Sequence, residues 1–171
     1  MPVENSYVNY SSQGICKIED ICPMKFSFDS CEREYYILQP IHQNNARIFV
    51  PAENQKLVEQ MRPVLSAEEI DRIILDAKDH SIPWISDRKQ RAVKFQSILS
   101  RRDECELLQL ATCLYLKSRD GAKGFCSSDG QILKKVEVII AQEFAFSLNI
   151  DTQEVGAYIR EKLNMQESIS E

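Results

Sequence analysis

The sequence predicts an α+β protein: a small, strongly bent antiparallel β-barrel followed by an all-α region of about five helices. Three observations predict it. Short runs rich in β-branched and aromatic residues crowd the first part of the chain. The hydrophobic period changes from that of strands to that of helices after about residue 55. Strands come first and helices second, without the alternation that a parallel α/β sheet requires.

The strands are expected at 6–10 (SYVNY), 15–21 (ICKIEDI), 35–41 (YYILQPI) and 46–50 (ARIFV). Ser11-Ser12-Gln13-Gly14, Asp29-Ser30 and Gln43-Asn44-Asn45 supply the turns. Alternation along 46–50 puts Ile48 and Val50 on one face and Arg47 and Phe49 on the other. Pro51 ends the pairing.

Ser66-Ala-Glu-Glu69 is a capping box that opens a helix carrying Ile70, Ile73, Ile74 and Ala77. Pro83 breaks the chain after it. A second helix runs from Ser86 or Asp87 to about Leu99, with Ala92, Phe95, Ile98 and Leu99 inward. A third covers about 103–118, with Leu107, Leu108, Ala111, Leu114 and Tyr115 on one face. Ser128 caps a long fourth helix with the stripe Ile132, Leu133, Val136, Ile139, Ile140, Phe144 and Leu148. Asp151-Thr-Gln-Glu154 opens the last, with Val155, Tyr158, Ile159 and Leu163. The organisation expected is a β-domain over 1–55 and a helical domain over 56–171, with the boundary somewhere in 52–65.

Net charge is −5, which opposes non-specific binding to nucleic acid. No run approaches the roughly 20 apolar residues of a membrane-spanning helix. MPVENSYVNY lacks the basic stretch and apolar core of a secretory signal, so a cytoplasmic location is expected. The six cysteines are then free thiols by default. No CxxC pair occurs and only His42 and His80 are present, so no metal site and no cofactor are expected.

Phosphate-cradling, zinc-protease and nucleophile-elbow motifs are all absent, so no catalysis is expected. A Cys–His nucleophile pair assembled in space stays open at this level.

One local feature stands out. Segment 84–102 (WISDRKQRAVKFQSILSRR) sets Arg88, Lys89, Arg91, Lys94, Arg101 and Arg102 against the single acid Asp87. A basic helix beginning beside the only tryptophan, Trp84, suits DNA: cations hold phosphates and the indole wedges at a base step. A lone tryptophan after a proline also suits packing between helices, and a basic face also suits plain solvation. On the β-domain, Arg47 and Phe49 are a candidate protein-binding pair, since both types anchor interfaces. The bland alternative is a core Phe49 and a merely solvated Arg47.

Taken together, these residues resemble the CarD/CdnL-type bacterial transcription regulators over nearly the whole chain. Val8-Asn-Tyr10, Gly14-Ile-Cys-Lys-Ile-Glu19, Glu34-Tyr-Tyr-Ile-Leu38 and Val50-Pro-Ala-Glu-Asn54 resemble that family's polymerase-interacting domain. Met61-Arg-Pro-Val-Leu-Ser66, Trp84 with its basic helix, Glu106-Leu-Leu108, Leu114-Tyr115 and Glu143-Phe-Ala-Phe146 resemble its helical domain. The resemblance implies a Tudor-like barrel, shared with the transcription-repair coupling factor, that binds the RNA polymerase β-subunit through Arg47 and Phe49. It also implies that Trp84 wedges into the minor groove at the upstream edge of the bubble and supports the open promoter complex, with Arg88, Lys89 and Arg91 on phosphates. The alternative is a protein-binding adaptor without DNA contact. Three departures stand out. Asn5 or Ser6 replaces an opening glycine, Phe49 stands where some relatives carry arginine, and Ser100-Arg-Arg-Asp103 replaces a glycine turn.

Overall fold

In the computed structural model, Tyr7–Tyr10 (β1) and Gly14–Met24 (β2) form a tight hairpin joined by one 3₁₀ turn. Gly14, at φ 73° and ψ −147°, makes the bend that a side chain would resist. Residues 3–27, 31–43, 45–121 and 124–167 are described; Asp29, Ser30 and Asn44 of the expected turns lie outside them. Two compact units result, Met1–Val64 and Leu65–Glu171.

Arg33–Pro40 (β3), Ile48–Pro51 (β4) and Met61–Pro63 (β5) complete an antiparallel sheet of order β4-β3-β2-β1-β5. One short helix, Gln55–Val58 (α1), links β4 to β5. Glu19 is the extra residue of a bulge, because Ile18 pairs Leu38 while Asp20 pairs Ile37. The inner face buries Val8, Tyr10, Cys16, Ile18, Leu38, Val50 and Met61. The expected strands are present, but the ladder has two ends, β4 and β5, and does not close into a barrel. Met61–Pro63 pairs with β1, so the first unit extends to Val64. Three residues ending in proline are too short to show a period.

The second unit holds five helices: Ala67–Asp79 (α2), Arg88–Arg101 (α3), Glu104–Arg119 (α4), Ser127–Leu148 (α5) and Val155–Glu167 (α6). The Ser66–Glu69 capping box forms in both directions, at 3.2 and 2.7 Å. Asp87 caps α3 through the Gln90 amide at 2.8 Å. The core gathers Ile70, Ile74, Phe95, Ile98, Leu107, Leu110, Leu114, Val136, Ile140 and Phe144.

Three details differ from expectation. Cys126, not Ser128, is the N-cap of α5, and the Asp129 carboxylate accepts its backbone N–H at 3.0 Å. Tyr115 is 46% exposed, because the buried stripe of α4 follows Leu107, Leu110 and Leu114 instead. On α3 the buried set is Arg91, Phe95, Ile98 and Leu99, and Ala92 faces solvent. Asp71 clamps α6 to α2: it accepts from the Tyr158 hydroxyl and from Lys162 Nζ, each at 2.6 Å. Burial alone would raise the Asp71 carboxyl; the Lys162 and Tyr158 bonds outweigh it and hold it below its ordinary range. Among the described residues no helix is long and apolar enough to cross a membrane.

Candidate protein-binding and nucleic-acid-binding sites

On the sheet, alternation sends Val50 inward, 1% exposed, and Phe49 outward, 38% exposed. The reading of Phe49 as core is therefore excluded. Its ring meets Phe26 edge-on at 5.5 Å, and Phe26 meets Tyr35 at 5.2 Å. Arg47 is exposed just before β4. It reaches across β3 to the bulge, where its Nε lies 2.9 Å from Glu19 Oε2. An apolar ring and an ion pair thus share the outer face beside the free edge of β4. Glu19 was not singled out from sequence, since nothing local links it to Arg47.

Residues 3–65 match the family model of the CarD-like/TRCF RID domain. The first unit is thus similar to a CarD-like/TRCF RID domain. This agrees with the CarD/CdnL-type resemblance of the sequence. The family is one of protein-interacting, polymerase-interacting domains and not a catalytic one. No curated protein matches the chain. The RID match ends where the helical unit begins, so that unit is read from its own geometry.

In the helical unit, Pro83 and Trp84 lie in the extended segment between α2 and α3. Trp84 is half-buried against the helical core, with its ring 6.4 Å from that of Phe95 and tilted by 57°. It borders a shallow, mainly apolar notch of about 140 Å³ together with Ala77, Ile82, Cys113, Leu116 and Lys117. Lys117 Nζ stands 5.8 Å from the ring centroid. That lysine comes from α4 and had no local signal pointing to it. Arg88 and Lys89, in the first turn of α3, are exposed and form no hydrogen bond or ion pair among the described residues. Arg101 is engaged by Glu106 through two bonds of 2.7 and 2.8 Å.

Arg91 is not a phosphate contact. It is 1% exposed, and its five N–H groups meet oxygen acceptors within the protein. These are both carboxylate oxygens of Asp129 at 3.1 and 2.9 Å, Ile85 O at 2.8 Å, Ser86 O at 3.3 Å and Gly124 O at 2.9 Å. Its guanidinium carbon lies 4.3 Å from the Trp84 ring centroid. Burial alone would raise the Asp129 carboxyl, but the bonds from Arg91 and Cys126 hold it below the ordinary range. The bond to Asp129 in turn raises Arg91, against burial. The pair is ionised throughout the neutral range.

Asp76 brings Cys105 and His80 together. The Cys105 thiol donates to Asp76 Oδ2 at 2.9 Å, while His80 Nδ1 lies 3.2 Å from Asp76 Oδ1. The carboxylate stands between thiol and imidazole, so the ring does not take the thiol proton. Burial and Asp76 push Cys105 up to about 12, the reverse of an activated nucleophile. His42 is exposed at the turn after β3. Among the described residues no cluster of three His, Cys, Asp or Glu could hold a metal ion.

Proposed function

We propose that this chain is a non-enzymatic transcription regulator of the bacterial cytoplasm. Its RID domain, read as a Tudor-like module, binds the RNA polymerase β-subunit with Arg47 and Phe49 in the contact. Its helical unit places Trp84 at the upstream edge of the promoter bubble and stabilises the open complex. The RID match over residues 3–65 carries the reading.

The chemistry supports the second half. Trp84 is only half-buried, and the exposed cations Arg88 and Lys89 follow it by four and five residues. Unstacking a base step costs a few kcal/mol, offset by contacts available only to the opened or bent form. A net charge of −5 makes DNA affinity alone weak. Tethering through polymerase raises the effective concentration of the DNA-contacting surface.

A second reading, an adaptor with no DNA contact, is favoured by the packing of Trp84 against the helical core. Co-purification with bacterial RNA polymerase and with its isolated β-subunit, followed by promoter-opening kinetics, separates the two. Binding with a longer-lived open complex supports the regulator. Binding without any change in opening favours the adaptor, and failure to bind polymerase sinks the regulator.

A further inference from the structure

The buried pair Arg91–Asp129 has no part in the contacts proposed above. Burying two charges is a poor route to stability, since apolar residues of similar size often serve as well or better. What the guanidinium touches gives it a different task. It lies 4.3 Å from the Trp84 ring centroid, within cation–π range. Its Nη1 holds the carbonyls of Ile85 and Ser86, the two residues that follow Trp84. Both oxygens of Asp129 and the Gly124 carbonyl fix it from the other end.

Asp129 is held in its turn. Its Oδ2 accepts the Cys126 backbone N–H and the Cys126 thiol, each at 3.0 Å. An unbroken run of contacts therefore leads from the first turn of α5, through Asp129 and Arg91, to the indole and the backbone behind it. The guanidinium is planar, so a two-point grip by a carboxylate sets the orientation of the surface that it offers to the ring. A lysine at this position would carry the charge but not the plane.

We propose that Arg91 and Asp129 are positioning residues for Trp84, which set the indole's place and keep it ordered before any partner arrives. An indole ordered in advance loses less conformational freedom on contact. The DNA consequence rests on the reading of Trp84 as the wedge, whereas the bracing of the indole stands apart from it.

Trp84 is the only tryptophan, so fluorescence of the full chain reports on it alone. The informative variant replaces the pair by apolar residues, Arg91→Met with Asp129→Leu. Its melting temperature is expected a few degrees below that of the wild type, because the bond from the Cys126 N–H to Asp129 is lost with the pair. Quenching of Trp84 by acrylamide should rise clearly, and the half-life of the open promoter complex should fall several-fold with polymerase binding intact. A variant that melts cooperatively, with quenching and half-life unchanged, would make the pair merely structural and overturn the proposal. Should the double variant lose its cooperative melt, Arg91→Lys takes its place: raised quenching supports the bracing and unchanged quenching overturns it. If Trp84→Ala leaves the half-life unchanged, the wedge reading fails, and quenching alone then supports or overturns the positioning role.

Discussion

Arg47 Nε lies 2.9 Å from Glu19 Oε2, across the width of β3. The cation proposed for polymerase is therefore already paired, but with its own side chain 64% exposed. Surface pairs contribute about 0.2–1 kcal/mol, and with Glu19 26% exposed this one lies toward the upper end, so exchange of Glu19 for a partner's carboxylate costs about 1 kcal/mol at most. Arg47→Glu should weaken binding to the β-subunit while shifting stability by less than about 1 kcal/mol. Glu19→Gln, which releases Arg47, should leave binding intact or tighten it. Phe49→Ala should cost about tenfold in affinity, equal to ~1.4 kcal/mol. A pull-down that Arg47→Glu does not alter removes Arg47 from the site.

Trp84→Ala should shorten the open-complex half-life without loss of polymerase binding. It also empties a half-buried site, so a stability cost of about 2 kcal/mol is expected and the melting temperature must be followed alongside. Neutralising Arg88 and Lys89 should flatten the salt dependence of the DNA-bound complex, since each phosphate contact adds to that slope. Arg91 should add nothing to the slope, because it is enclosed by protein. A slope unchanged by the double neutralisation would remove both from the DNA face.

What could be read from the sequence followed the range of each signal. Hydrophobic period located α2 to α6, and the Ser66–Glu69 and Asp87 caps lie within a few residues of the helices they open. β5 was missed because its partner β1 is distant in sequence and Met61–Pro63 has no pattern of its own. Arg91 was misread for a different reason. With Phe95, Ile98 and Leu99 it forms a regular helical stripe, but an arginine is ordinarily assigned to solvent. The charge that neutralises it, on Asp129, arrives from another helix. The Arg47–Glu19 and Asp71–Lys162 pairs are likewise products of the tertiary fold. Strand alternation set Arg47 and Phe49 on the face opposite Val50, but only the burial of Val50 in the fold shows that face to be the outer one.

Thiol chemistry offers a check on the absence of a Cys–His nucleophile. Cys105, pushed up to about 12 by burial and Asp76, stays protonated near pH 8. Cys126 moves the other way. The Asp129 bond pushes its thiol up, but the Ser128 hydroxyl and the Asp129 backbone bond outweigh it and lower it overall. Alkylation of the native chain at pH 8, followed by mass spectrometry, should therefore label Cys126 well before Cys105. Asp76→Asn should speed labelling at Cys105. Cys105 reacting first would reopen the enzyme reading.

Acid should loosen the helical unit. Asp71 and Asp129 are both held below the ordinary carboxylate range, by hydrogen bonds that outweigh burial. A carboxyl lowered by folding is protonated more readily in the unfolded chain. Its contribution is complete above the unfolded value of about 3.9 and is lost as pH falls through the folded one. Unfolding followed by circular dichroism should show stability insensitive to these groups at neutral pH and declining below about pH 4. Asp71→Asn should lower the plateau and flatten that decline. An acid limb as steep as that of the wild type would mean that Asp71 does not contribute to it.

Arg102 closes α3 at φ 56° and ψ 33°, a left-handed conformation that costs an ordinary L-residue about 1–2 kcal/mol. The side chain makes no hydrogen bond or ion pair among the described residues, so it returns little for the strain. Arg102→Gly should therefore stabilise the protein by about 1 kcal/mol, partly offset by the extra freedom of the unfolded chain. That corresponds to a rise of about 2–4 °C in Tm for a chain of this size. Asn149 closes α5 in the same conformation, at φ 54°, but asparagine visits this region far more readily. Asn149→Gly should therefore gain less than Arg102→Gly. Thermal melts of the two variants check the order, and a destabilised Arg102→Gly would show that the arginine is held there by contacts that outweigh the strain.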